Sequence, residues 1–149
     1  MAVTLQDVVR QLNRDEPDYV RAAQLGPEAL PHLRQLIEGD DLGLAAKATY
    51  LAGIMNADES TRLLEIAARH PDPVVRVAAA ASARNLTRIT ASLAVTFLDD
   101  ADPGVRKWGL RTVEVNQPQG IKPNLERIMN DDPDIGLRER ARKVLEGMP

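Results

Sequence analysis

The stretch HPDPVVRVAAAASARNL (residues 70–86) places Asp-Pro ahead of Val-Val-Arg and a run of alanines, and DADPGVRKWGL (residues 100–110) writes the same figure again. Aligning on the aliphatic residue before the arginine brings in two further segments, DLGLAAKA from Asp41 and DIGLRERA from Asp134. The anchors are Leu44, Val75, Val105 and Leu137, separated by 31, 30 and 32 residues. In every copy an aspartate lies three residues before the anchor and a small residue four after it: Ala48, Ala79, Gly109 and Ala141. A period of this length is the mark of a repeat protein.

Each element of the repeat has a mechanical reason. An aspartate accepts hydrogen bonds from the free N–H groups of a helix's first turn, and proline loses nothing there because its missing donor has no intrahelical partner. Such a cap is worth about 1 kcal/mol. The anchor and the positions 4, 7, 8 and 11 beyond it form one helical stripe, reading Leu44, Ala48, Leu51, Ala52, Met55 in the first copy and Leu137, Ala141, Val144, Leu145, Met148 in the last. The small residue at the fourth position lets a neighbouring backbone come close.

Between these helices lies a second set with aliphatics at helical spacing: Leu30, Leu33, Leu36, Ile37; Leu63, Leu64, Ala67; Ile89, Leu93, Phe97; and Leu125, Ile128, Met129. The repeating unit is therefore helix, short acidic turn, helix. The chain is expected to be one domain over 1–149, with a shortened N-terminal pair in 1–26 that has a polar outer side and repeats at 27–57, 58–87, 88–117 and 118–149. A hairpin of this kind cannot bury its own apolar face and must stack on the next, which is why the start signal recurs.

Composition agrees. Apolar residues are 44% of the chain but aromatics only 3%, so the core is built from Ala, Leu, Val and Ile, a mixture that favours helices. With no cysteine, disulfides, thiolate metal sites and cysteine nucleophiles are excluded, and a cytoplasmic location is expected. The N-terminus does not read as a secretion signal, and no apolar run approaches the roughly 20 residues a membrane span needs. No turn has the glycine-centred loop and closing glutamate of a calcium-binding EF-hand.

The segment LGPEALPHLRQLI (residues 25–37) and the four D-x-x-[VL] copies resemble HEAT repeats, and are most similar to the short bacterial repeats of phycobilisome-lyase type. The first copy departs from the pattern with Ala45 where arginine is usual, and the last lacks the proline. The resemblance implies an all-α, right-handed α-solenoid of about four to five helical hairpins. It also implies a structural ladder in which repeated Asp and Arg pair between layers, here Asp72, Arg76, Asp102, Arg106, Asp134 and Arg138. In such solenoids the second helices line the concave surface. That makes Tyr50, Ile54, Arg84, Lys107, Trp108, Leu110 and Arg111 the candidate partner-binding residues, with Val77 and Ala81 beside them. Trp108 either edges the core or stands exposed.

Charge is distributed by topology. Nine aspartates (40, 41, 72, 99, 100, 102, 131, 132 and 134) sit in the turns into the second helices, whereas each second helix is net positive. Helix dipoles alone favour acids at N-termini, so the pattern is equally that of capped, solvated helices. The expected function is a non-catalytic scaffold that binds another protein with an acidic surface, the chain itself being a monomer or weak oligomer. A nucleic-acid-binding groove is an alternative that the net charge of −3 and the acidic turns argue against. An accessory role in pigment attachment rests on repeat type alone. His32 and His70 lie outside any His-Glu pair, and no phosphate-cradling or nucleophile motif occurs, so neither catalytic residues nor cofactors are assigned.

Overall fold

The computed structural model describes residues 2–149, and every regular element among them is helical. Met1, the first residue of the expected N-terminal pair 1–26, lies outside the described residues. In chain order the helices are α1 (Leu5–Leu12), α2 (Tyr19–Ala23), α3 (Leu30–Ile37), α4 (Leu42–Met55), α5 (Ser60–Ala68), α6 (Pro73–Ser82), α7 (Ala91–Leu98), α8 (Pro103–Asn116), α9 (Lys122–Asp131) and α10 (Ile135–Glu146). Single 3₁₀ turns at Pro27–Ala29 and Ala83–Asn85 lead into α3 and out of α6.

The caps explain where the helices begin. Asp41, Asp72, Asp102 and Asp134 hold extended backbone, and the Oδ1 of each accepts from the first turn of α4, α6, α8 or α10. Asp18 does the same for α2 and Thr90 for α7. At α1 the bonding is reciprocal: Thr4 Oγ1 accepts from Asp7 N, while Asp7 Oδ2 accepts from Thr4 N. The two longest helices, α4 and α8, end on left-handed residues, Asn56 (φ 47°) and Gln117 (φ 45°). Asn56 then spans to the loop after α6, donating to Thr87 Oγ1 at 2.7 Å and accepting from Thr87 N at 2.9 Å.

The principal helix contacts join partners no more than three apart in order. Within pairs, α3 packs on α4, α5 on α6, α7 on α8 and α9 on α10. Across pairs, α4, α6, α8 and α10 touch in succession, as do α3, α5, α7 and α9, while α1 and α2 pack against α3 and α4. One continuous apolar core runs through these contacts, with Phe97 its largest member and many alanines completing it. Each fully buried Leu or Val contributes about 1.5–3 kcal/mol relative to exposure.

Small residues set the spacing. A Cβ on Gly53 would lie 2.7 Å from both Cβ and the carbonyl oxygen of Ser82, and one on Gly109 would lie 2.8 Å from Phe97 Cβ. These are the points where α4 meets α6 and α8 meets α7. Buried hydroxyls tie second helices together: Ser82 Oγ of α6 donates to Thr49 O of α4 (3.4 Å) and Thr112 Oγ1 of α8 to Ala80 O of α6 (2.6 Å). Such groups satisfy themselves on the neighbouring backbone and so carry no desolvation penalty. No helix among the described residues is long and apolar enough to cross a membrane.

Candidate functional site

The exposed side of the second helices collects most of the residues singled out above. Tyr50 of α4 is half-buried against Tyr19 of α2, with ring centroids 6.1 Å apart and planes tilted by 47°. Burial first, and the neighbouring Tyr50 second, raise the Tyr19 phenol above its ordinary pKa. Ile54 lies one turn further along α4, also half-buried. On α8, Trp108 is half-buried and packs against the core edge, which settles its position between the two sequence alternatives. Arg111 places its guanidinium 4.5 Å from the Trp108 ring centroid and Arg84 approaches from the other element at 6.0 Å. Cations over an indole contribute about 0.5–1 kcal/mol when exposed.

Lys107 and Arg111 also line a cleft of about 340 Å³ where α8 meets the start of α10, together with Asp134, Gly136, Leu137 and Arg140. Arg140 pairs with Glu114 at 2.6 Å across the two helices. Arg84, Lys107 and Arg111 have no ion-pair or hydrogen-bond partner among the described residues, in contrast to Arg76 and Arg106 on the turn edge. Sequence reading did not single out Arg140. It sits three residues past its anchor, the register of Trp108, and that was the available signal.

Leu110 is not part of this face. It is fully buried, because a second helix has neighbours on two flanks and the position five past the anchor faces one of them. The matching residues Thr49 and Ala80 are buried for the same reason, and only in the last copy does this position, Arg142, reach solvent. Ala81 is likewise buried, and Val77 half-buried.

Arg76 and Arg106 do pair with aspartates of the next helix pair, but not with the expected ladder members Asp72, Asp102 and Asp134. Those three aspartates are spent on helix caps. Arg76 instead reaches Asp100, with Nε to Oδ2 at 3.0 Å and Nη2 to Oδ1 at 3.4 Å, while Nη1 donates to the carbonyls of His70 and Pro71. Arg106 repeats the arrangement on Asp132 (2.7 and 3.1 Å) and on the carbonyls of Asp100 and Ala101. Asp100 and Asp132 also accept from the backbone N–H of Asp102 and Asp134. Each rung thus locks a turn and spans two pairs. Side-chain exposure is 19% and 9% for the first rung and 12% and 4% for the second, so these pairs are largely screened from water. Arg138 donates to Asp132 O at 2.7 Å and has no carboxylate partner among the described residues.

The histidines take part in packing contacts. His32 Nε2 donates to Val3 O at 2.9 Å, and His70 Nδ1 accepts from Asp72 N at 3.0 Å rather than serving carbonyls of the preceding helix. Among the described residues no group of three or more His, Asp or Glu side chains is arranged to hold a metal ion. In comparisons with protein-family models and with curated proteins, nothing matches this chain.

Proposed function

We propose that the chain is a right-handed α-solenoid of HEAT-like hairpins, similar to the phycobilisome-lyase type, and that the face formed by α4, α6, α8 and α10 binds an acidic segment of a partner protein. The succession of neighbour contacts within each set of helices supports the architecture. One observation carries the binding reading: on this face Arg84, Lys107 and Arg111 stand without ion-pair partners around a half-buried tryptophan. Arg and Trp dominate the energetics of interfaces, and unpaired surface cations recruit acidic partners.

Trp108 is the single tryptophan, so its emission reports on this face directly. Titration with glutamate-rich peptides is expected to shift that emission, and Arg111→Glu to weaken binding about tenfold. No shift with any acidic peptide overturns the reading. Salt-dependent binding of duplex DNA, with acidic peptides inert, transfers the same cations to a nucleic-acid role.

A further inference from the structure

Two clefts on the turn edge occupy the same register in different helix pairs. One, of about 350 Å³, lies between the α7–α8 and α9–α10 turns and is lined by Leu98, Asp99, Ile128, Asp132 and the side chain of Arg106, among others. The other, of about 530 Å³, lies between the α3–α4 and α5–α6 turns, where Ile37, Glu38, Ile66 and His70 hold the matching places. At the register of Arg106 the first pair has Ala45, a buried methyl. The larger cleft is therefore the site of a rung for which this chain supplies no guanidinium.

Arg76 and Arg106 show what that register offers. Each guanidinium donates through Nη1 to the carbonyls six and five residues before it, at 2.9–3.0 Å, and gives its remaining edge to the aspartate of the next helix pair. In the first pair the corresponding carbonyls belong to Gly39 and Asp40, which line the cleft, and no donor among the described residues takes them. Glu38, whose carboxylate already pairs with Arg34 at 3.0 Å, and Asp40 also line it, and Ile37, Leu42, Ile66 and Pro71 give it apolar walls suited to a methylene stem. Arg69 is the one cation in the lining against Glu38 and Asp40, so the rim favours a cation over a neutral group and the paired carbonyls choose among cations. A planar fork matches two adjacent carbonyls better than a point-like ammonium. His70 stands where Asp132 stands in the other cleft, with Nδ1 already engaged by Asp72 N, so the incoming group meets carbonyls and rim carboxylates instead of a bidentate acid.

We propose that this cleft binds an arginine side chain of a partner protein, completing in trans the rung that Ala45 omits. The inference is independent of the second-helix face, which lies on other residues. The test is an NMR titration of the full chain with N-acetyl-arginine methylamide. Saturable shifts are expected at the amides of Gly39, Asp40 and His70, with the lysine and citrulline counterparts binding about tenfold more weakly because one lacks the fork and the other the charge. Ala45→Arg is expected to abolish the shifts by supplying the guanidinium internally. Should that variant misfold, Asp40→Lys on the exposed rim is expected to abolish them as well. Absence of saturable shifts, equal affinity for lysine or citrulline, or unchanged shifts in a folded Ala45→Arg or Asp40→Lys protein overturns the proposal.

Discussion

Between α5 and α10 the turn edge is stitched by two screened ion pairs, Arg76–Asp100 and Arg106–Asp132, whereas between α1 and α5 the same positions hold alanines, Gly39 and His70. The N-terminal pairs hold their register by other means: Lys47 Nζ on Arg14 O, His32 on Val3 O, and Tyr19 against Tyr50. The two halves nevertheless share caps, anchors and core. The comparison teaches that the rungs are an addition to a stack already specified by packing, and that their cost appears only when one partner is removed and the other left buried.

Removing a rung partner is the sharpest way to break the comparison. Asp132→Ala leaves the Arg106 guanidinium largely buried without its acid and strips the bond to Asp134 N, so a loss of about 3 kcal/mol in urea unfolding is expected. Asp40→Ala, on the edge without rungs, is expected to stay within about 0.5 kcal/mol. Equal losses at the two sites would erase the distinction. Next, Gly53→Val forces a side chain into Ser82 where α4 meets α6 and is expected to cost about 2 kcal/mol in urea unfolding, because the close approach leaves no room for it. Installing a rung tests the converse. Ala45→Arg with His70→Asp is expected to raise stability by up to about 1 kcal/mol, read as a higher thermal midpoint.

The smallest effect concerns the N-terminal cap. The Thr4 backbone N–H, then its hydroxyl, hold the Asp7 carboxyl below its ordinary pKa of 3.8 against partial desolvation, with lesser help from Arg10 and His32. A depressed folded-state pKa contributes stability above the unfolded value and loses it as pH falls through the folded one. Amide protection in α1, measured against the intrinsic exchange rate at each pH, is therefore expected to fall on acidification below 3.8.

The helix starts were legible because an Asp three residues ahead of an aliphatic anchor has one local meaning, and all four such aspartates are caps. The all-helical class followed from the same period. The rung partners were not legible: Asp72 and Asp102 compete for the arginines on equal terms in sequence, and only the geometry of the first turn commits them to backbone N–H groups. The Asp-x-Asp pairs at 100/102 and 132/134 were the available clue. Leu110 was misplaced because an anchor stripe describes burial against one neighbour, while α8 has α6 on one flank and α10 on the other. Arg111 and Arg84 stand at the surface, since charged side chains at off-stripe positions have nowhere else to go, whereas Trp108 is half-buried against the core edge. The meeting of Lys107 with Arg140 needed the juxtaposition of α8 and α10, which no local pattern encodes.

Contacts confined to near neighbours also decide how the molecule yields to force. No principal helix contact among the described residues joins α1 or α2 to α9 or α10, so tension applied to the termini is expected to meet resistance one hairpin at a time. Peeling from the N-terminal end crosses no screened Arg–Asp rung until Arg76 of α6 is reached, so that end is expected to give way first.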